Sequence, residues 1–276
     1  MKPLLKWAGG KRQLAQILRE SFPPDWDKGT YIEPFVGGAA MFLYLNPKKS
    51  IIADINVRLY SFYVHIKEQT DLVFAEISKI AETFNSLPAN EKKDFYLKIR
   101  NDYNLSNAES VDSAVLLYAL NKLCFNGLYR ENLKGGFNVP FGQKEIFPPL
   151  VENDFQEVAR VLKNAIIKNS DFETTISNAK SGDFVYLDPP YIPIDLTSSF
   201  TSYHSQGFGI KDQERLASTM KDLEKIGVRA LCSNSDTPIS QEIFGKFNLR
   251  KIQATRMVSA KSSGRGTVSE LVITNY

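Results

Sequence analysis

The chain has 276 residues, 43% hydrophobic and 24% charged, with a formal net charge of +3. This is an ordinary composition with ample material for a sizeable core, and the charge by itself does not indicate nucleic acid. Cys124 and Cys232 are far apart and neither His65 nor His204 has a second histidine at ligand spacing, which argues against a disulfide framework or a metal site.

Residues 1–10 do not read as a signal peptide, and no segment approaches the ~20 apolar residues that a membrane span needs. A cytoplasmic protein with no membrane partner is expected. Lys2, Lys6, Lys11, Arg12 and Arg19 open the chain with no acid among them. A solvated basic face and a phosphate-binding face both fit such a run. Lys6-Trp7-Ala8-Gly9-Gly10-Lys11 forms a Gly-rich turn before a helix expected near Arg12. The turn lacks the upstream Gly and the following Ser or Thr of a P-loop. Taken alone it is a basic loop with a core Trp.

Thr30 to Glu33 reads as a strand, Pro34 to Gly38 as a turn, Ala39 to Leu45 as a helix, and Ser50 to Ala53 as a second strand ending at Asp54-Ile55-Asn56. Strand, Gly-rich turn, helix, strand, acid is the grammar of a nucleotide-binding α/β unit. Gly37 and Gly38 allow close backbone approach to a ligand, although a Gly-Gly pair also serves a tight strand–helix connection. Asp54 is placed to accept both hydroxyls of an adenosine ribose. NAD is one adenosine ligand. Ala39 and Met41 occupy the later positions of a G-x-G-x-x-G pattern, which disfavours a pyrophosphate cradle. S-adenosylmethionine, an adenosine ligand without phosphates, fits better, and Lys11 can then hold its methionyl carboxylate.

Helical patterns follow from Arg58 to about Phe84, from Glu91 to Asn104 and from Val111 to Cys124, with Val115, Leu116, Ala119, Leu120 and Leu123 at helical spacing. Phe125 to Gly142 is rich in Gly, Asn and aromatics, with Lys134-Gly135-Gly136 as a hairpin turn. Strands and helices resume at Ala165 to Ile167, Phe184 to Leu187, Asp212 to Ile226, Arg229 to Cys232 and Glu270 to Thr274. The expected organisation is one discontinuous α/β domain, residues 1–57 and 146–276, carrying a helical insertion with a hairpin at residues 58–145. Lys251, Arg256, Lys261 and Arg265 form a second basic run.

Asp188-Pro189-Pro190-Tyr191 follows the apolar strand Phe184-Val185-Tyr186-Leu187. In α/β sheets, ligands bind just beyond the carboxyl ends of strands. The set suits an exocyclic amine on a flat ring: Asp188 and the Pro189 carbonyl each accept one amine hydrogen, and Tyr191 offers a stacking face. A flipped nucleobase is the obvious candidate. Asp-Pro-Pro is also a common loop-forming sequence.

These parts together resemble the Dam-type DNA adenine N6-methyltransferases. The resemblance runs nearly the whole length, through Lys6 to Lys11, Glu33 to Gly37, Ala53 to Asn56, Asn126 to Arg130, Gly136 to Gly142, Asp188 to Tyr191 and Phe200-Thr201-Ser202-Tyr203-His204. It implies a Rossmann-like α/β methyltransferase sheet with a helical target-recognition insertion and β-hairpin. The expected activity is methyl transfer from S-adenosylmethionine to N6 of a flipped adenine in double-stranded DNA, in the sequence GATC. Asp188, Pro189 and Tyr191 would be catalytic. Trp7, Ala8, Lys11, Pro34, Phe35, Gly37, Asp54, Ile55, Asp171, Phe172 and Asp188 would line the cofactor site.

The same resemblance assigns Lys6 to the first guanine, Phe125 to a wedge between base steps, Asn126 to the orphaned thymine, Arg130 to a guanine edge and Pro140 to a thymine. Leu128 belongs to the same reading segment, and Arg100, Lys122 and Asn132 would contact phosphates. The group usually has Tyr at the Phe125 position and commonly Arg at the Gln143 position, so one hydroxyl and one phosphate contact differ here. No obligate protein partner is expected. The alternatives are a restriction-associated enzyme with another target, an RNA or protein methyltransferase, and an inactive DNA-binding regulator.

Overall fold

The computed structural model describes residues 1–7, 9–192, 208–255 and 267–276. Ala8, the segment Phe200 to His204, and Arg256, Lys261 and Arg265 of the second basic run lie outside the described residues.

The elements in chain order are α1 (Ala15–Arg19), β1 (Tyr31–Glu33), α2 (Ala40–Leu45), β2 (Ser50–Asp54), α3 (Val57–Glu68), α4 (Thr70–Ser86), α5 (Lys92–Leu105) and α6 (Val111–Leu123). Then come α7 (Glu152–Leu162), β3 (Ala165–Asn169), α8 (Phe172–Ile176), β4 (Phe184–Leu187), α9 (Ile210–Lys225), β5 (Arg229–Ser235), α10 (Pro238–Phe244), β6 (Asn248–Thr255) and β7 (Thr267–Thr274). The strands form one seven-stranded sheet of order β3-β2-β1-β4-β5-β7-β6. β2, β1, β4 and β5 pair in parallel, whereas β7 runs antiparallel to both β5 and β6. The α/β expectation with a Rossmann-like methyltransferase sheet holds.

Strand β4 is buried at all four residues, as a central parallel strand covered on both faces must be. β1 is equally buried, and its one acid, Glu33, accepts a hydrogen bond from the Tyr31 hydroxyl at 2.7 Å. β1 continues to β2 on one side and pairs with β4 on the other, so the strand order reverses there. Such a switch point leaves a crevice beyond the strand ends.

Two compact units share the chain. One comprises residues 1–10, 37–46 and 54–169, and the other residues 11–36, 47–53 and 170–276. The first is built from α2 to α7, with α6 packed against α3, α4 and α5. The second has its core between the sheet and α9, where Val185, Leu187, Leu216, Met220, Ala230 and Phe244 are buried together.

Several elements differ from the sequence expectation. The helix expected from Arg58 to Phe84 is two helices, because Gln69 leaves helical geometry at φ −139° and ψ 40°. Ala39, expected inside a helix, sits before it in the left-handed region at φ 58°. The helix expected near Arg12 begins at Ala15, after a turn in which Leu14 N–H donates to the Lys11 carbonyl. β5 runs on through Ser233-Asn234-Ser235, all buried. Helices α7, α8 and α10 and the strand β6 were not anticipated. Among the described residues, no helix is long and apolar enough to cross a membrane.

Candidate active site and nucleic-acid interface

Asp188 is the first residue beyond β4. Its Oδ1 accepts a hydrogen bond from Ser233 Oγ at 2.9 Å and lies 3.0 Å from Lys11 Nζ. Ser233 is fully buried on β5, and only 5% of the Lys11 side chain is exposed, against 18% for Asp188. The fixed groups thus converge on one carboxylate oxygen. Lys11 Nζ also stands 4.2 Å from the centre of the Tyr191 ring, in cation–π range. The Tyr191 hydroxyl donates to Glu270 at 2.7 Å. Burial first, then the charges of Asp188 and Glu270, push that hydroxyl well above its ordinary value, so it remains a donor.

The loop itself is pinned from below. Gln213 of α9 donates to the Pro190 carbonyl at 2.8 Å and accepts from Asn234 at 2.9 Å, while Ser235 Oγ donates to the Ile192 carbonyl at 2.7 Å. Gln213, Asn234 and Ser235 are all buried, so each bond replaces water that cannot enter. Pro189 is buried and Pro190 exposed.

Phe35, just after β1, stacks on Phe172 with centroids 5.6 Å apart and planes at 27°. Phe208 meets both rings edge-on. Pro34 is buried beside Phe35. Asp171 caps α8 by accepting from Thr174 N–H at 2.9 Å and pairs with Arg215 at 3.0 Å. Burial raises its carboxyl, but the Thr174 bonds and Arg215 outweigh that and hold it below the ordinary value. Arg215 also lies over the Phe172 ring. Arg215 is thus shared by the Asp171 carboxylate and the Phe172 ring.

In the other unit, Asp54 ends β2. Its Oδ2 accepts from Gly37 N–H at 3.1 Å and its Oδ1 from Asn56 N–H at 2.9 Å. Asn56 in turn caps α3 through Arg58 and Leu59 N–H. Burial raises the Asp54 carboxyl above its ordinary value, against the lowering effect of the Asn56, Gly37 and Ile55 backbone bonds. Ile55 is 76% exposed beside it, and Asn169 holds the Asp54 and Ile55 carbonyls. Gly37 is left-handed at φ 46°, and a Cβ there would come within 2.9 Å of Trp7 Cδ1. A Cβ on Gly38 would stand 3.0 Å from Trp7 Cβ. The neighbour that the two glycines admit is thus Trp7, whose ring also stacks on Tyr129.

The segment after α6 reverses sharply. Asn126 and Gly127 are both left-handed, at φ 55° and 66°. The turn leaves Phe125 46% exposed and Asn126 exposed, with Leu128 half-buried. A short hairpin follows: Phe125 N–H donates to the Pro140 carbonyl, Asn138 N–H to the Arg130 carbonyl, and Asn132 N–H to the Gly136 carbonyl. The Asn132 side chain closes the tip by accepting from Lys134 and Gly136 N–H. From α5, Asn104 bonds both backbone groups of Phe137, and the Tyr96 hydroxyl donates to the Val139 carbonyl.

Arg130 and Pro140 are exposed, and the Arg130 guanidinium is aligned by Asn138 at 2.7 Å. Arg100 reaches toward the Val139 carbonyl at 3.4 Å. Lys122 points inward: its Nζ donates to the Leu4 carbonyl at 2.7 Å and sits over the Tyr118 ring. Burial first, and then the Lys6 charge, lower it to about 8. Lys6 is exposed, and its backbone is bound by Asn121.

Within the units, the structure brings Lys11, Asp188 and Tyr191 together, Phe35 with Phe172 and Asp171, Trp7 with Gly37 and Asp54, and Lys6 with the Phe125 to Leu128 turn. Sequence reasoning missed Ser233, Glu270, Gln213, Asn121 and Tyr129. For Ser233 a signal existed: the polar run Ser233-Asn234-Ser235 directly continues an apolar strand. For Asn121 it was a lone amide in the apolar pattern of α6. Among the described residues, no three His, Cys, Asp or Glu side chains gather to hold a metal.

A family model for D12 class N6 adenine-specific DNA methyltransferases matches residues 7–258. The chain is 38% identical over 282 residues to the Type II methyltransferase M1.LlaDCHI of Lactococcus lactis subsp. cremoris, covering all of this chain and 96% of that one. It is 40% identical over 290 residues to the Type II methyltransferase M.MjaIII of Methanocaldococcus jannaschii, covering all of this chain and 99% of the relative. The DNA adenine methylase of Escherichia coli K12 is 34% identical over 274 residues, which is 98% of this chain and 94% of that one.

Proposed function

The chain belongs to the D12 class of N6 adenine-specific DNA methyltransferases, and on that premise we propose that it methylates the adenine of GATC with S-adenosylmethionine as donor. The observation that carries the catalytic reading is the Asp188 carboxylate at the end of β4, with Lys11 and Ser233 both on Oδ1. Oδ2 is then the oxygen that accepts one amine hydrogen, and the Pro189 carbonyl accepts the other. Two acceptors draw the nitrogen toward tetrahedral geometry and expose its lone pair. A carboxylate is too weak a base to deprotonate a neutral amine. Asp188 instead orients the amine and stabilises the positive charge that develops on it as the N–C bond forms, and the methylated amine, acidic once charged, then releases one proton to solvent. Tyr191 stacks on the extruded base and offsets part of its unstacking cost, which is a few kcal/mol.

The residues present fit the donor. Asp54, a carboxylate fixed by two backbone N–H groups beside exposed Ile55, suits a ribose diol and an adenine face. Lys11 suits the carboxylate of the methionyl group, and the Phe35–Phe172 pair offers an apolar wall. We assign Trp7, Pro34 and Gly37 to the same ligand, with Asp171 as the residue that shares Arg215 with Phe172. When bound, S-adenosylmethionine supplies an electrophilic methyl group.

Residues 58–145 form the target-reading part in this proposal. Lys6, Phe125, Asn126, Leu128, Arg130 and Pro140 face the bases, and Arg100 and Asn132 the phosphates. Arg130 is exposed and held in orientation by Asn138, which suits a bidentate contact to guanine. The inward ammonium of Lys122 supports a part in holding residues 4–6.

A second reading is a modification enzyme with another target sequence; the names of the two type II relatives support its first part, the modification enzyme. Plasmid DNA treated with the enzyme and then with a GATC-sensitive nuclease separates the two. Protection of GATC sites supports the first reading, and cleavage at every GATC refutes it. Transfer of a radiolabelled methyl group to DNA tests the activity itself.

A further inference from the structure

Two of the proposed base-reading elements are remote in sequence. Lys6 lies near the start of the chain, and the Phe125 to Leu128 turn follows α6. Asn121, in the last turns of α6 and 2% exposed, binds both. Its Oδ1 accepts from Lys6 N–H at 2.8 Å. Its Nδ2 donates to the Lys6 carbonyl at 2.8 Å and to the Gly127 carbonyl at 3.2 Å. Both hydrogens of the amide are committed, one to each element, and only an amide can accept and donate in this pattern.

The fit on the other side is equally close. Gly127 is left-handed at φ 66°, and a Cβ there would lie 2.6 Å from Lys6 Cδ and 3.2 Å from the Asn121 carbonyl oxygen. The Lys6 stem therefore lies directly on the turn that carries Phe125 and Asn126. The next residue of the helix, Lys122, holds the Leu4 carbonyl, so α6 fixes residues 4–6 at two successive positions.

We infer that Asn121 is a positioning residue for target recognition: it fixes the Lys6 main chain against the Gly127 turn and so sets which bases the two elements can read together. This rests on the proposed reading that Lys6 and the turn contact the target. Its loss changes the sequence that is methylated, beyond slowing methylation. Replacing Asn121 with Asp keeps shape and acceptor but turns the carboxylate toward two carbonyls that had received hydrogen bonds. Lys6 and the turn then separate.

The test is the methylated sequence itself. Full-length wild type, Asn121→Asp, Asn121→Ser and Gly127→Ala are each incubated with S-adenosylmethionine and unmethylated genomic DNA, and methylated adenines are mapped by sequencing. Thermal unfolding and cofactor affinity are measured in parallel. The expected result is that folded Asn121 variants bind the cofactor within about twofold of wild type. They lose about fivefold or more of the preference at one or two positions of the wild-type motif, and Gly127→Ala loses it at the same positions. If one variant does not fold, the other two carry the comparison. An unchanged motif with a uniformly lowered rate overturns the inference and leaves the proposed function intact. A wild-type motif other than GATC refutes that target alone, and absence of methylation by wild type refutes the function and the inference together.

Discussion

Trp7 and Tyr129 stack with ring centroids 4.9 Å apart and planes at 25°. Trp7 belongs to the proposed cofactor set, and Tyr129 immediately precedes Arg130 of the proposed target-reading set. Gly37 and Gly38 also lie against the Trp7 side chain, so the indole has neighbours besides Tyr129. Tyr129→Ala removes the stacked ring. Offset stacks of this kind contribute ~0.5–1.5 kcal/mol beyond area burial, so cofactor affinity is expected to weaken by about threefold to tenfold. The Trp7 emission is expected to shift to the red, measured in a Trp26→Phe background. Unshifted emission with unchanged affinity would dismiss the stack as a support for the site.

Ser233 and Lys11 fix Asp188 through the same oxygen. Ser233→Ala deletes one neutral donor to a carboxylate, a bond worth ~1.5–3 kcal/mol. About a tenfold or larger fall in kcat is expected, with little change in KM for DNA. Asp188→Ala is expected to abolish transfer while cofactor and DNA binding persist. Methylation by Asp188→Ala within tenfold of wild type would sink the catalytic assignment.

On the proposed assignment of Asp54 to the cofactor ribose, its raised carboxyl makes cofactor affinity pH-dependent. The folded protein holds this proton more tightly than the unfolded chain does. Acidification through the window between the ordinary and the raised value therefore favours the fold as far as Asp54 is concerned. On that assignment, the same protonation removes an acceptor for the ribose hydroxyls. Affinity should then fall on acidification above the ordinary carboxylate range while circular dichroism is unchanged. Asp54→Asn should bind weakly and lose that pH response. A wild-type affinity that is flat across the range contradicts the role.

Gly37 cannot carry a side chain cheaply. At φ 46° an L-residue is strained, and the Cβ would strike Trp7 at 2.9 Å. Gly37→Ala should destabilise the protein by more than ~1 kcal/mol and weaken the cofactor, since Gly37 N–H also orients Asp54. An unaltered melting temperature and affinity would show that the loop relaxes freely.

What the sequence disclosed follows from how strongly each signal is imposed. β4 reads as a strand because burial on both faces demands four consecutive apolar residues. The glycine turn after β1 and the acid that ends β2 stand out because geometry restricts both positions. β6 was illegible because it is an edge strand: Arg250 and Lys251 break its apolar alternation, as charges on edges do. The break at Gln69 had no Gly or Pro to announce it. Ser233, Gln213 and Asn121 share a different reason. Each is a buried polar residue whose partner is set by the tertiary fold, and the pairing of Ser233 with Asp188 exists only once β4 and β5 lie side by side.

The position of β1 has a consequence for how the protein is made. Tyr31 pairs with Ser50 on one side and with Phe184 on the other. The second partner emerges about 150 residues later, roughly eight to thirty seconds at 5–20 residues per second. Helices α3 to α6 meet partners nearby in the chain and need no such wait. The nascent chain thus owns its proposed DNA-reading surface before its sheet is closed and before Asp188 exists. A product truncated before β4 would carry the proposed DNA-reading residues without Asp188.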